Sequence, residues 1–271
     1  MNSKKLEKSR GIVVFAFNTN TVDYVALADQ TSQLTSHTLR LPITLVTDLN
    51  ADPTFNYDNI IRIESQSGNF RTGALTGTVE WRNFGRYLAY EFSPYDETIL
   101  LDGDYIVLEQ SLLKLFEQKF DYRLMYNSQT PAGDQYQLMG TNGLPFVWAT
   151  VVLFRKTEFA KQYFDLIGRI QRNYGYFKTL FNGTGTYRND YAFSIANIIL
   201  NGYSIDTYKS IPWKMTTIEN KINDIEIKND FLIVRQADRA DVISKQNIHV
   251  MDKEFLLSDK FKSFVRAAIG N

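Results

Sequence analysis

The sequence predicts an α/β fold, a mixed and mainly parallel sheet flanked by helices. Three observations carry this reading. "GIVVFAF" (residues 11–17) and "LPITLVTD" (41–48) are short apolar runs rich in β-branched residues, the length of buried strands. Between them, "NTNTVDYVALADQTSQL" offers an Asn/Thr cluster that can cap a helix and a helical stripe of Val22, Val25, Ala26 and Leu34. A third, shorter run, "NIIRIES" (59–65), repeats the strand signal. Strand, helix, strand in succession implies parallel pairing through right-handed crossovers.

The later elements follow in order. Residues 66–79, "QSGNFRTGALTGTV", are rich in Gly, Thr and Ser and predict a flexible loop. "EWRNFGRYLAYEF" places Trp81, Phe84 and Leu88 at helical spacing, with Arg82 and Arg86 four apart on one shared face. "ETILLDGDYIVLE" (97–109) opens as a buried strand, and "SLLKLFEQ" continues as a helix. "YRLMYNS" (122–128) and "FVWATVVLFRK" (146–156) read as further strands, separated by a polar loop over 129–145 beside the site. "EFAKQYFDLIGRIQRNY" is an amphipathic helix, and "GTGTYRNDYAFSIANIIL" is a Gly/Thr loop opening another. Beyond residue 205 the pattern weakens: "FLIVRQ" reads as a strand and "NIHVMDKEFLL" as a strand or turn. With no repeat, low-complexity tract or linker, residues 1–271 read as a single domain, with halves at about 11–108 and 109–271.

Composition bounds the function. The 30 Lys plus Arg balance the 30 Asp plus Glu, so a whole-body attraction to nucleic acid or anionic membrane is absent, although a local basic patch remains open. There is no cysteine, which excludes disulfides, thiol nucleophiles and Cys-ligated metals. The polar start "MNSKKLEKSR" has no apolar h-region, and no apolar run approaches the roughly 20 residues of a membrane span. The expectation is a cytoplasmic protein.

One stretch carries the chemistry. Ile99, Leu100 and Leu101 lead straight into Asp102, Gly103 and Asp104. On an extended strand, alternate side chains share a face, so the two carboxylates point the same way and repel. Such repulsion raises both pKa values unless a cation lies between them. Hard oxygen ligands suit Mg²⁺ or Mn²⁺, and the C-terminal ends of parallel strands are where open α/β sheets bind ligands. The plain alternative is a solvated Asp-Gly-Asp turn.

"ILLDGDYIVL" resembles the DxD motif of nucleotide-sugar glycosyltransferases of the GT-A fold. "VVFAFNTNTVDYVALADQTSQL" is similar to the opening strand and helix of the glycogenin-like group, "FVWATVVLF" to a following core strand, "RNDYAFSIAN" to an acidic helix start and "NIHVMDK" to a C-terminal segment. The resemblance implies metal-dependent, retaining transfer of a sugar from a nucleotide-sugar, with UDP as the expected nucleotide and Mn²⁺ or Mg²⁺ as cofactor. It assigns Asp102, Asp104 and His249 to the metal, Asp190 to the reacting centre, and Arg82, Arg86, Gly103 and Lys253 to the diphosphate. Asn18, Thr19 and Tyr24 can hold base and ribose, or equally serve as a cap and a core tyrosine. A neutral His249 is a sound nitrogen ligand, and cations form charge-assisted bonds to phosphate. Solvated faces remain open for the arginines, an ordinary strand position for His249 and an N-terminal helix position for Asp190; His37 reads as solvated. Two departures stand out. Trp148, Ala149 and Thr150 replace the family's usual Asn and Gly, and Tyr191 follows Asp190 where Gln is common, so the donor sugar is expected to be unusual.

The overall texture, rich in Asn, Tyr and Phe, resembles glycosyltransferases of T-even-like bacteriophages. That implies hydroxymethylcytosine in double-stranded DNA as acceptor and the cytoplasm of an infected bacterium as location. Arg71, Arg172, Lys178 and Arg188, interleaved with Tyr174, Tyr176 and Tyr187, are the candidate acceptor contacts; they also read as a solvated face over core aromatics. The alternatives are transfer to a glycan or protein, a nucleotidyltransferase (which lacks its Gly-rich loop here) and a binding module in which the acidic triplet is only a turn.

Overall fold

The computed structural model describes residues 8–64, 69–73, 77–135, 145–182, 185–204 and 209–270. Strand β1 (Arg10–Phe15) is buried from its second residue on. Helix α1 (Tyr24–Leu39) follows, its first turn held by Asp23, whose carboxylate accepts the Ala26 N–H at 2.9 Å. Strands β2 (Ile43–Asp48) and β3 (Asn59–Ile63) pair in parallel beside β1. The 66–79 region is not a plain loop: β4 (Phe70–Gly73) and β5 (Gly77–Glu80) form an antiparallel hairpin. Phe70, Thr72, Thr78 and Val79 are strand formers, and that preference outweighs the loop signal of the glycines.

The segment expected as one helix after Trp81 is a 3-10 turn (Asn83–Leu88) running into the single turn α2 (Ala89–Phe92). Gly85 in its middle and Pro94 after its end disfavour a longer α-helix. At three residues per turn, Arg82 and Arg86 no longer share a face. Strand β6 (Glu97–Asp102) returns beside β1, and β7 (Tyr105–Ile106) leaves for a second sheet. The helix expected next is short, α3 (Ser111–Lys114) with a 3-10 turn behind it. Strands β8 (Tyr122–Met125), β9 (Ser128–Gln129) and β10 (Trp148–Arg155) precede α4 (Glu158–Arg172), α5 (Tyr174–Leu180) and α6 (Asn189–Leu200). Of the expected 129–145 loop, residues 136–144 lie outside the described residues.

In the weakly patterned C-terminal region, the described residues from 209 to 270 carry seven regular elements. Strands β11 (Met215–Ile218), β12 (Asp224–Lys228), β13 (Phe231–Arg235), β14 (Ala240–Ser244) and β15 (Ile248–Val250) precede α7 (Lys253–Leu256) and α8 (Asp259–Ile269). Sequence reading missed α8, which Ser258 caps through the Phe261 N–H.

The central sheet runs β3-β2-β1-β6-β10-β8, parallel from β3 to β6, with β10 antiparallel to both neighbours. Its faces follow the two-residue strand period. Val13, Phe15 and Leu100 pack with Phe164, Ile167 and Phe193 of α4 and α6, and Ile12, Val14, Ile99 and Leu101 pack with Val25 and Ala28 of α1. The fold is therefore α/β, with a mainly parallel sheet between helices. The second sheet, β7-β15-β11-β9, sets β15 between β7 and β11. It carries residues 248–250 to the exit of β6. Among the described residues, no helix is long and apolar enough to cross a membrane.

Candidate active site

Asp102 is the last residue of β6, in register with Phe15 of β1. The chain turns at Gly103 and Asp104 before β7 begins. The expected extended geometry therefore fails at this point, and the two carboxylates do not share one partner. Asp102 accepts from the Arg86 guanidinium, while Asp104 accepts from the Lys253 ammonium. The Gly103 carbonyl accepts the Thr31 hydroxyl at 2.7 Å, tying the turn to α1. A Cβ at Gly103 would stand 3.4 Å from Leu27 and 3.5 Å from Ala28, ordinary contacts, so space does not demand glycine there.

The second sheet assembles the rest of this corner. His249 of β15 stands opposite Tyr105 of β7, the residue after Asp104. Its Nε2 lies 3.5 Å from the Asp104 carboxylate, and its Nδ1 lies 3.3 Å from the Thr217 hydroxyl. The Val250 N–H donates to the Asp104 carbonyl at 3.0 Å, locking the two segments together. Lys253, at the start of α7, also donates to the Val250 carbonyl at 3.1 Å. Burial would raise the Asp104 pKa, but Lys253 and His249 together hold it well below the usual carboxylate range. The other oxygen, Oδ1, is buried and has no hydrogen-bond partner.

Arg86 joins this corner to a third carboxylate. Its side chain is 1% exposed, and besides Asp102 it donates to the Ala149 carbonyl at 2.6 Å. Burial pushes its pKa down to about 10, against the pull of Asp190 and Asp104, so it stays charged at neutral pH. The Ala149 N–H in turn donates to Asp190 Oδ1 at 3.0 Å, and Arg188 donates to Asp190 Oδ2 at 3.0 Å. Residues Trp148 to Arg155 pair with β8 through a register shift after Trp148, an irregularity that frees the Ala149 backbone for both bonds. Asp190 occupies the first turn of α6, where a carboxylate is favoured by the helix dipole. Each carboxylate thus has a cation: Asp102 has Arg86, Asp104 has Lys253 and Asp190 has Arg188.

The remaining assignments divide. Asn18 Oδ1 accepts the Val25 N–H at 2.9 Å, and the Thr19 hydroxyl accepts the Val22 N–H at 3.1 Å, so both act as caps of the α1 entry. Tyr24 is half-buried against the α1-side core. Arg82 pairs with Glu80 at 2.8 Å rather than standing beside Arg86. The Arg71 side chain lies outside the described residues. Arg172 sits over the Tyr87 ring, Lys178 donates to the Gly185 carbonyl at 2.7 Å, and Arg188 belongs to Asp190. Tyr187 is no mouth residue: it is buried and stacks on Trp81. Tyr176 is 66% exposed, and His37 is exposed as expected. Sequence reading missed Thr217, Ser128 and the Ala149 backbone. Only the β-branched character of "MTTI" hinted at a strand there, and nothing in it marked the histidine contact.

Among the described residues, no group of three or more His, Asp or Glu side chains stands close enough to hold a metal ion. The expected trio is divided between partners: Asp102 pairs with Arg86, and Asp104 with Lys253 and His249. The donor chemistry nevertheless fits a hard divalent cation: two carboxylates, one imidazole nitrogen and a buried, unpartnered Asp104 Oδ1.

No protein-family model matches the chain, and no curated protein matches it in sequence. Glycosyltransferases are among the solved structures it resembles. The galactosyltransferase LgtC, in complex with donor and acceptor sugar analogs, is 13% identical over 77% of this chain and 75% of that one, with a TM-score of 0.47. Mouse xyloside xylosyltransferase 1 is 12% identical over 79% of this chain and 88% of that one, with a TM-score of 0.46. GlyE of Streptococcus pneumoniae is 17% identical over 75% of this chain, with a TM-score of 0.43, and this chain spans 45% of its length.

Proposed function

We propose that the protein is a GT-A-type glycosyltransferase that moves a sugar from a nucleotide-sugar, a UDP-sugar, to an acceptor hydroxyl with retention of configuration. One observation carries the reading. At the exit of a buried parallel strand, a half-buried carboxylate, Asp104, is flanked by an imidazole and an ammonium from far along the chain. Asp102, Asp104 and His249 are the residues that would hold Mn²⁺ or Mg²⁺. The cation would neutralise charge on the departing nucleoside diphosphate. Lys253 and Arg86 place two further positive charges beside the same carboxylates, suited to phosphate oxygens. Asp190 is held on both oxygens, by Ala149 and Arg188, in a fixed pose for work at the sugar.

For the acceptor, hydroxymethylcytosine in duplex DNA is the first reading and a glycan or protein hydroxyl the second. The exposed Arg172 and Tyr176 support the first; the engagement of Lys178 and Arg188 within the protein and the burial of Tyr187 favour the second. The test incubates the protein with Mn²⁺, a panel of nucleotide-sugars, and either hydroxymethylcytosine DNA or free oligosaccharides. A mass gain of one sugar on either acceptor supports glycosyl transfer and identifies the acceptor. Failure to transfer or hydrolyse any donor would overturn it.

A further inference from the structure

The candidate site has an aromatic side as well as a polar one. Trp148, the first residue of β10, meets the His249 imidazole with ring centres 6.1 Å apart. Phe146, two residues earlier, stands edge-on to Trp148 at 5.2 Å and edge-on to Tyr191 of α6 at 6.2 Å. The Arg188 guanidinium lies 5.8 Å from the centre of the Tyr191 ring and donates to Asp190 Oδ2 at 3.0 Å. A line of rings therefore runs from His249, beside Asp104, to the neighbour of Asp190. The Ala149 backbone spans the same two ends on the polar side, through Arg86 and Asp190.

The three rings differ in access. Trp148 is 3% exposed and fills the base of the line. Phe146 and Tyr191 are half-buried, so both leave ring surface open to a ligand. Edge-to-face contacts fix their orientation before anything binds, and a surface fixed in advance loses little freedom on binding. Aromatic surface suits one part of a sugar. A pyranose carries its hydroxyls around the rim and C–H bonds on its faces. The C–H bonds are slightly positive and meet the negative face of an aromatic ring. Laying that face on Phe146 and Tyr191 buries apolar surface and leaves the hydroxyls free to find partners. A carboxylate on the same sugar would meet Asp190 and the negative ring faces, while Arg188 and Arg86 are already engaged by Asp190 and Asp102.

We propose that Phe146 and Tyr191 are specificity-determining residues that stack on the transferred sugar through its C–H face, and that this sugar is a neutral hexose rather than a uronic acid. The inference rests on the nucleotide-sugar reading above and narrows its donor. It concerns two side chains outside the set assigned to cation, diphosphate and reacting centre.

Calorimetric titration with UDP, UDP-glucose and UDP-glucuronate, each with Mn²⁺, tests it. Wild type is expected to bind UDP-glucose at least tenfold more tightly than UDP-glucuronate. Tyr191→Ala and Phe146→Ala are each expected to weaken UDP-glucose roughly 2- to 12-fold relative to UDP, the worth of one aromatic contact, with UDP itself unchanged. Tyr191→Phe, which keeps the ring, is expected to retain the wild-type ratio within about twofold. If Phe146→Ala does not fold, Tyr191→Ala alone decides. A folded Tyr191→Ala with the wild-type ratio of UDP-glucose to UDP affinity would overturn the proposal, as would a wild-type preference for UDP-glucuronate. Failure of the nucleotide-sugar reading is visible separately, as wild type that binds neither UDP nor UDP-glucose. Saturation-transfer NMR with methyl β-glucopyranoside then decides the stacking itself. Transfer to the ring C–H protons that disappears in Tyr191→Ala would uphold a sugar platform, and no transfer in wild type would overturn it.

Discussion

Asp104 is a carboxylate whose surroundings pull in opposite directions, with burial favouring the neutral form and Lys253 and His249 favouring the charged one. The charged form wins, so its folded-state pKa lies below the unfolded value. A carboxylate depressed in this way stabilises the fold above the unfolded value near pH 4, and that stability is lost as pH falls below it toward the folded value. In metal-free protein, Asp104→Asn is expected to flatten the acid-side fall of the urea midpoint below about pH 4. An unchanged acid limb would show that Lys253 and His249 do not stabilise the ionised form. Asp190 calls for a different measurement, because Asn at that position still accepts the Ala149 N–H. Asp190→Asn is expected to keep its melting temperature within a few degrees while turnover drops a hundredfold or more, on the order of 3 kcal/mol of transition-state stabilisation. Normal turnover in the folded variant would leave only the helix position. At this scale, sequence reading singled out Asp102, Asp104, Arg86, Asp190, His249 and Lys253; the fold sets Asp104 beside His249 and Lys253 and links Asp102 to Asp190 through Arg86 and the Ala149 backbone. Sequence reading missed how they pair. Two residues of spacing mean one face only on an extended strand, and the turn at Gly103 breaks that premise.

Elements were legible where one period dominates and obscure where two preferences compete. Strands β1, β2, β6 and β10 each carry an apolar run and are buried almost throughout, and α4 is strongly two-faced, so local pattern sufficed. The 81–92 segment kept helical spacing of its large residues, yet Gly85 shortened it to a 3-10 turn and one α-turn. That tightening is what turns Arg86 inward to Asp102 and leaves Arg82 with Glu80. Strands β11 and β15 are four and three residues long, too short for any periodic signal, and tertiary pairing defines them. Their placement brings His249 to Asp104. The packing of β1 can be tested independently of function. A Cβ at Gly11 would lie 2.3 Å from the Tyr95 ring, whose hydroxyl lies 2.9 Å from that of Thr44. Gly11→Ala is therefore expected to lower the unfolding free energy by about 1–3 kcal/mol in urea titration. A neutral effect would mean that the ring moves aside freely.

Over the whole molecule, charge is balanced twice. Thirty cations match thirty anions across the chain, and within the site three carboxylates each have a cationic partner. Neutral overall charge gives no long-range attraction to DNA, so a nucleic-acid acceptor would depend on the local cations beyond the site. Local balance has a different consequence. Under the proposed function, a metal-nucleotide would have to take Asp102 and Asp104 over from Arg86 and Lys253, whose charges would then be available to the phosphates. Metal and nucleotide should therefore bind together more strongly than either alone. Calorimetric titration of UDP, with Mn²⁺ or with chelator, into wild type and Asp104→Ala tests this most directly. UDP is expected to bind wild type at least tenfold more tightly with Mn²⁺, a difference of about 1.4 kcal/mol, and the folded Asp104→Ala variant is expected to lose that dependence on metal. Equal UDP affinity with and without metal in wild type, or full metal dependence surviving in Asp104→Ala, would contradict a nucleotide-sugar site at this strand end.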